Sequence, residues 1–324
     1  MVLGAGGITG IAWLLGALEA VHEQTGWDPA GAHVLTGTSA GAVAATVTVA
    51  GVPAEDLLRM AEDPVFLDAA IARATADPRA RSRPGPAWPG SIALGLSGLL
   101  SADPRARISS LVGFLPRGLR SGDEIRGLTH AAAAGGWPAD QTLLLHACDF
   151  RTGRRVSFGA ADAPPASLAD AVVASCAVPG YYRPVRIDGR DYVDGGIASF
   201  AHLDQVAGLD CDLVLCLSPF ASRARGSAAD ATLFGAARRA TAWQLGREAA
   251  TLRAAGTRVV TVEPEAAELR AMGLNPMDRG RSRAVLEAAR DGVGARIAAL
   301  LDGVDLPSAG RPAAPVQAAL AAAA

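Results

Sequence analysis

No lysine occurs anywhere in this 324-residue chain, so every one of its 30 basic residues is arginine. That absence removes lysine as a Schiff-base or general-base candidate. With a formal charge of only −2 it also argues against the basic surface of a nucleic-acid binder. Aromatic residues make up 5% of the chain. The four cysteines, Cys148, Cys176, Cys211 and Cys216, form no C-x-x-C pair and sit in apolar segments. They read as free buried thiols of a reducing compartment, not as a disulfide or zinc framework. No uninterrupted apolar run reaches the ~18 residues of a membrane span. The apolar N-terminus, residues 1–21, lacks the basic region of a signal peptide, and its glycine cluster and Glu19 fit a strand, loop and helix better. A cytoplasmic location follows as the expectation.

What is present is apolar residue in abundance, 50% of the chain. This is ample for one large α/β core, expected over 1–302, with 63–120 a variable lid-like or helical insertion and 303–324 a flexible Pro/Ala-rich tail. The stretch that organises the rest is Gly37-Thr38-Ser39-Ala40-Gly41, a Gly-x-Ser-x-Gly sequence between an apolar run and an alanine-rich segment. At a sharp strand-to-helix turn Ser39 is a candidate nucleophile, and Gly37 and Gly41 permit the tight backbone. The following helix aims free N–H groups at a developing oxyanion. Alone, the pentapeptide is equally a turn with a capping Ser39 or Thr38.

Upstream, Met1 to Leu3 reads as a short first strand, an abrupt start that leaves room for a few residues before it. Gly4-Ala5-Gly6-Gly7-Ile8-Thr9-Gly10 then leads into a helix with apolar positions Ile11, Leu14, Leu15, Leu18 and Val21. Successive N–H groups of such a loop can hold phosphate or an acyl oxyanion, so the loop by itself does not choose between nucleotide binding and ester chemistry. It misses the dinucleotide fingerprint in either register. His33 to Thr36 and Ala40 to Ala50 complete a βαβα start, and a short helix follows from Pro53. The apolar runs 92–100 and 111–119 read first as core helices. A lid or lipid-facing surface, with Arg105, Arg107, Arg117 and Arg120 near anionic headgroups, is the second reading. Ser121 to Glu124 has the pattern of a capping box.

Downstream, 142–148 and 154–158 read as a hairpin, 167–176 as a helix, and 185–187 and 191–193 as strands, the last running into Asp194-Gly195-Gly196. Asp194 is a carboxylate at a strand end, although Asp-Gly-Gly by itself is most simply a turn. Residues 211–217 and 257–262 read as buried strands, 228–255 and 281–301 as helices.

Taken in order, the glycine loop 6–10, the 37–41 pentapeptide, Ser175-Cys176-Ala177-Val178-Pro179-Gly180 and Asp194-Gly195-Gly196 resemble the patatin-like phospholipases, a family of lipid acyl hydrolases. The resemblance covers about 1–50 and 167–218. It implies a three-layer α/β/α sandwich and a Ser-Asp dyad of Ser39 and Asp194. The oxyanion hole would come from the amides of Gly6, Gly7, Ile8 and Ala40, with Gly10, Gly37, Gly41, Gly195 and Gly196 as motif glycines. It also implies no metal or other cofactor, independence of calcium, and a fatty-acyl ester substrate, phospholipids first and short soluble esters in reserve. A peripheral contact with membrane lipid is the expected partner. The chain departs from the family at Ala5, where glycine is usual, at Thr9, where a cation is usual, and at His202, where asparagine is common. Two alternatives stand beside this reading. One is an α/β-hydrolase triad, for which His202 is the single histidine after Asp194. The other is a non-catalytic nucleotide-binding or regulatory α/β module.

Overall fold

The computed structural model describes residues 1–74, 88, 90–99, 110–133, 136–224, 232–304 and 306. Its strands and helices are, in chain order, β1 (Val2–Leu3), α1 (Gly7–Thr25), β2 (Val34–Thr38), α2 (Ala40–Val49), α3 (Ala54–Glu62), α4 (Pro64–Ala74), α5 (Ile92–Leu99), α6 (Asp123–Ala132), β3 (Thr142–Asp149), β4 (Arg155–Phe158), α7 (Leu168–Ser175), β5 (Val185–Ile187), β6 (Arg190–Asp194), β7 (Leu213–Leu217), α8 (Leu233–Ala254), β8 (Arg258–Val262), α9 (Ala266–Met272) and α10 (Ser282–Leu300).

One eight-stranded mixed sheet runs β5-β6-β3-β2-β1-β7-β8, with β4 also on β3. The five strands β3-β2-β1-β7-β8 are parallel, and β4, β5 and β6 join antiparallel. The period-two alternation of side chains sorts the strand residues onto two faces. Leu3, Leu35, Leu143, Leu145, Leu215 and Val262 pack with α1, α2, α7 and α10. Val2, Val34, Leu144, Val214, Cys216 and Val259 pack with α8. The result is a three-layer α/β/α sandwich. Trp13 of α1 and Arg296 of α10 both donate to the buried Glu268 of α9, which locks the outer helices together. A buried carboxylate held by two donors is costly to disturb.

One feature of register fixes the site. His146 pairs with both Thr38 of β2 and Ser157 of β4, so those strands lie on opposite edges of β3. Ala147 pairs with both Val156 of β4 and Asp194 of β6, so those two are also opposite. Hence β2 and β6 share one edge of β3 and meet tip to tip, with Asp194 occupying the register position that Ser39 would have taken had β2 continued.

Several expectations change. The insertion expected from residue 63 as lid-like or helical opens with a helix, α4. The capping box at Ser121 is absent: the N-cap of α6 is Gly122 and no side chain caps it. The run after Leu111 is a 3₁₀ turn over Leu111–Phe114 followed by irregular chain, not a helix. Nor do the described residues of the 92–100 and 111–119 runs mainly join the core. Leu94 and Gly113 are buried, but Ile92, Leu96, Leu111, Phe114, Leu115 and Leu119 are exposed. The expected tail beyond 306, the 228–231 start of α8, Leu100, Arg105 and Arg107 lie outside the described residues.

Candidate active site

Ser39 sits between the last residue of β2 and the first of α2 at φ 53°, ψ −115°, a conformation L-residues rarely adopt. The flanking glycines have no alternative. A Cβ on Gly37 would lie 2.4 Å from the Gly41 carbonyl oxygen, and one on Gly41 would lie 1.9 Å from that of Leu3. Both collisions are with backbone, so α2 can approach β1 and β2 this closely only where side chains are missing.

Asp194 ends β6 and is 5% exposed; Ser39 is 6% exposed. Asp194 Oδ1 accepts the Gly196 N–H at 2.7 Å, and the Ser39 hydroxyl faces the same carboxylate. Burial pushes the Asp194 carboxyl up from 3.8 to about 6, with the Ser39 hydroxyl and the Gly196 N–H pulling the other way. Gly195 must be bare because a Cβ there would come within 2.5 Å of the His146 carbonyl oxygen.

The glycine loop leaves β1 and turns into α1 beside the same site. Gly7 has φ 68°, and Gly6 is the N-cap of α1. Thr9 N–H donates to Pro276 and Gly10 N–H to Gly6, while among the described residues the amides of Gly6, Gly7 and Ile8 find no protein acceptor. At the start of α2, Ala42 and Val43 donate to the Ser39 carbonyl and the Ala40 amide is left free. Gly7, Ile8, Ser39 and Ala40 all line one cavity, so free donors of two helix N-termini open onto the same space as the serine, whereas Gly6 does not line it. Gly10 does not line it; it lies where α1 crosses Pro219 and Ala40.

That cavity, about 140 Å³, runs from Ser39 between α1, α2, α3 and α6 past Ile11, Val43, Val47, Leu57, Leu58 and Ile125. It is overwhelmingly apolar. Its rim carries Tyr182, Met277 and the ion pair of Arg279 with Glu124.

The departures from the family pattern have local explanations. Ala5 is buried with its methyl near Gly196, where even an added Cβ would stand at an ordinary 3.8 Å, so the extra methyl crowds nothing there. Thr9 is buried, with its hydroxyl unpartnered, so it offers the loop no charged support. His202 is fully buried on the α8 face of the sheet. Its Nδ1 is 3.1 Å from the Thr38 hydroxyl, and its ring stacks on His146 at 4.6 Å. Burial holds both rings neutral, His146 at about 3 and His202 well below the ordinary value. Thr38 and Ser39 thus serve opposite sides, and the sheet stands between His202 and the cavity. Residues 175–177, noted in the sequence only as part of a motif, pack directly behind Ser39; nothing in their local pattern assigned them a task.

The family model described as Patatin-like phospholipase matches residues 1–207, more than half of the chain. Among solved structures the type III effector protein ExoU is similar, with 20% identity and a TM-score of 0.37 over 92% of this chain and 52% of ExoU. The chain therefore spans about half the length of that protein.

Proposed function

The chain belongs to the patatin-like phospholipase family, and from that membership we propose that it cleaves fatty-acyl esters of lipids by a Ser39-Asp194 dyad. The observation that carries the proposal is a buried carboxylate facing the hydroxyl of a strained serine that itself lines an apolar cavity. Asp194 takes the Ser39 proton as the oxygen attacks the acyl carbonyl. The amides of Gly6, Gly7, Ile8 and Ala40 receive the oxyanion, and collapse expels the alcohol, which recovers the proton from Asp194. Water, giving a proton to the same carboxylate, then attacks the acyl-serine, and collapse frees the acid as the departing Ser39 oxygen takes that proton back from Asp194. A carboxylate near 6 is a better base than one at 3.8, and one that faces the hydroxyl itself needs no imidazole between them.

Membrane lipid as the substrate source is supported by the 88–119 segment. It holds seven of the eleven exposed large apolar side chains among the described residues, Trp88, Ile92, Leu96, Leu111, Phe114, Leu115 and Leu119. Clustering of that kind marks an interaction surface. Exposed Arg120, Arg151 and Arg154, which make no ion pair among the described residues, lie close by. Gly153 of their hairpin packs against Leu94, and Arg120 pairs with Tyr182 at the cavity rim. In a protein of net charge −2 such a local excess suits anionic headgroups.

The test is fluorophosphonate labelling with tandem hydrolysis of p-nitrophenyl esters of increasing chain length. Label on Ser39, lost in Ser39→Ala, and rates rising with chain length are expected. A folded protein that takes no label at Ser39 would sink the proposal.

A further inference from the structure

Nothing in β2 or α2 alone explains how a strained serine stays within reach of a carboxylate 155 positions away. The three residues at and after the end of α7 supply what is missing. Ser39 N–H donates to Ser175 Oγ at 2.9 Å, and that hydroxyl donates onward to the His146 carbonyl at 2.7 Å. The Cys176 thiol donates to the Ser39 carbonyl at 3.3 Å. The Ala177 carbonyl accepts the Asp194 N–H at 3.0 Å. Three consecutive residues, all buried, therefore grip both backbone polar groups of the serine and the backbone amide of the carboxylate.

We propose that Ser175-Cys176-Ala177 is the positioning element that sets the spacing of Ser39 and Asp194, with the Ser175 hydroxyl as its decisive group. This inference rests on the dyad reading above. The tripeptide has little freedom of its own: Cys176 N–H bonds Val172 and Val173, and Ala177 N–H bonds Ala174, so the end of α7 wraps tightly. Ser175 has one proton. Because that proton goes to His146, an oxygen lone pair is left facing the Ser39 amide, which fixes the direction of the relay. His146 is also the β3 residue opposite Thr38 and precedes the one opposite Asp194, so the relay anchors the serine to the strand that carries both partners. Alanine could neither accept nor donate here, and threonine could do both. Cys176 is secondary, since the Ser39 carbonyl retains the amides of Ala42 and Val43 without it.

The experiment compares Ser175→Ala, Ser175→Thr and Cys176→Ala with the parent in four readouts: kcat, KM, the rate constant of fluorophosphonate labelling, and the acid limb of the pH–rate profile. A displacement of even about 1 Å costs up to roughly 100-fold in rate. Ser175→Ala is therefore expected to lose about 10- to 100-fold in kcat and in labelling with KM nearly unchanged. Its acid limb should move to higher pH, because the Ser39 hydroxyl that holds the Asp194 carboxyl down is displaced. Ser175→Thr should restore most of the rate, and Cys176→Ala should lose less than Ser175→Ala. Unchanged kcat and acid limb in a folded Ser175→Ala protein, even one that melts earlier, would overturn the inference. If Ser175→Ala does not fold, failure of a folded Ser175→Thr to keep the parental acid limb overturns it instead. Hydrolysis that persists in Ser39→Ala would remove the dyad itself, whatever Ser175 does, so the two failures are separable.

Discussion

Asp194→Asn should raise the stability of the protein at alkaline pH while abolishing its hydrolysis. Burial moves the Asp194 carboxyl from 3.8 to about 6, which makes the ionised form about 3 kcal/mol harder to hold in the fold than in the unfolded chain. The folded value lies above the unfolded one. The favourable contribution is therefore full below 3.8 and is lost as pH rises through about 6. At pH 8 the native protein carries the whole cost. An asparagine keeps an acceptor for the Gly196 N–H and a polar neighbour for Ser39, so the gain is trimmed only by the weaker, neutral hydrogen bonds, leaving roughly 1–2 kcal/mol. Urea or thermal unfolding of both proteins should show the variant ahead by a few degrees at pH 8, the two nearly converging at pH 4. In parallel, wild-type kcat/KM should bend near pH 6 and fall about tenfold one unit below it. An acid limb below pH ~4.5, or a variant less stable than the parent at pH 8, would refute the reasoning.

Three further outcomes follow from the packing. Gly41→Ala should fail to give soluble folded protein, or unfold more than ~4 kcal/mol more easily by circular dichroism, because the Leu3 carbonyl 1.9 Å from the added methyl cannot move without parting α2 from β1. His202→Ala should keep most of its specific activity while losing about 2–4 kcal/mol of stability, as a fully buried ring stacked on His146 and bonded to Thr38 is removed; activity per folded molecule separates the two effects. Val47 lies eight residues beyond Ser39, about 12 Å along α2, and lines the cavity. Val47→Phe should therefore depress rates for long-chain relative to short-chain esters by about tenfold or more, with fluorophosphonate labelling of Ser39 unchanged.

The parts of this molecule that were legible in sequence are those with a local cause. The pentapeptide 37–41 declares a sharp turn because glycine is required on both sides of the serine, and the strands declare themselves by apolar runs whose alternate residues face different layers. The bounds of two helices were hidden by their first residues or size. Pro64 gives no start signal of its own, although proline is well suited to the first turn of a helix and here opens α4 within the 63–120 insertion. The seven-residue α9 is held by Glu268, whose partners Trp13 and Arg296 are distant in sequence. The runs at 92–119 have core-like composition but face outward, and composition carries no information about which side of a surface a segment occupies. Ser175 was visible only as part of a motif. Its task depends on α7 ending behind β2, a tertiary fact with no local trace.

The most consequential non-local fact is the shared edge of β3. A base reaches a serine either through an intervening imidazole or by standing beside it, and the register decides which is available here. Because β2 stops at Thr38 opposite His146 and β6 stops at Asp194 opposite Ala147, the carboxylate occupies the next rung on the same edge. Strand alternation sends Thr38 toward α8 and His202, while Ser39 opens on the cavity side. An imidazole at 202 could reach Ser39 only by passing through the sheet, whereas the carboxylate needs no intermediary. The dyad we propose is the arrangement consistent with this strand pairing, and on that proposal any substitution that slips β6 by one rung along β3 should silence Ser39 while leaving the turn around it intact.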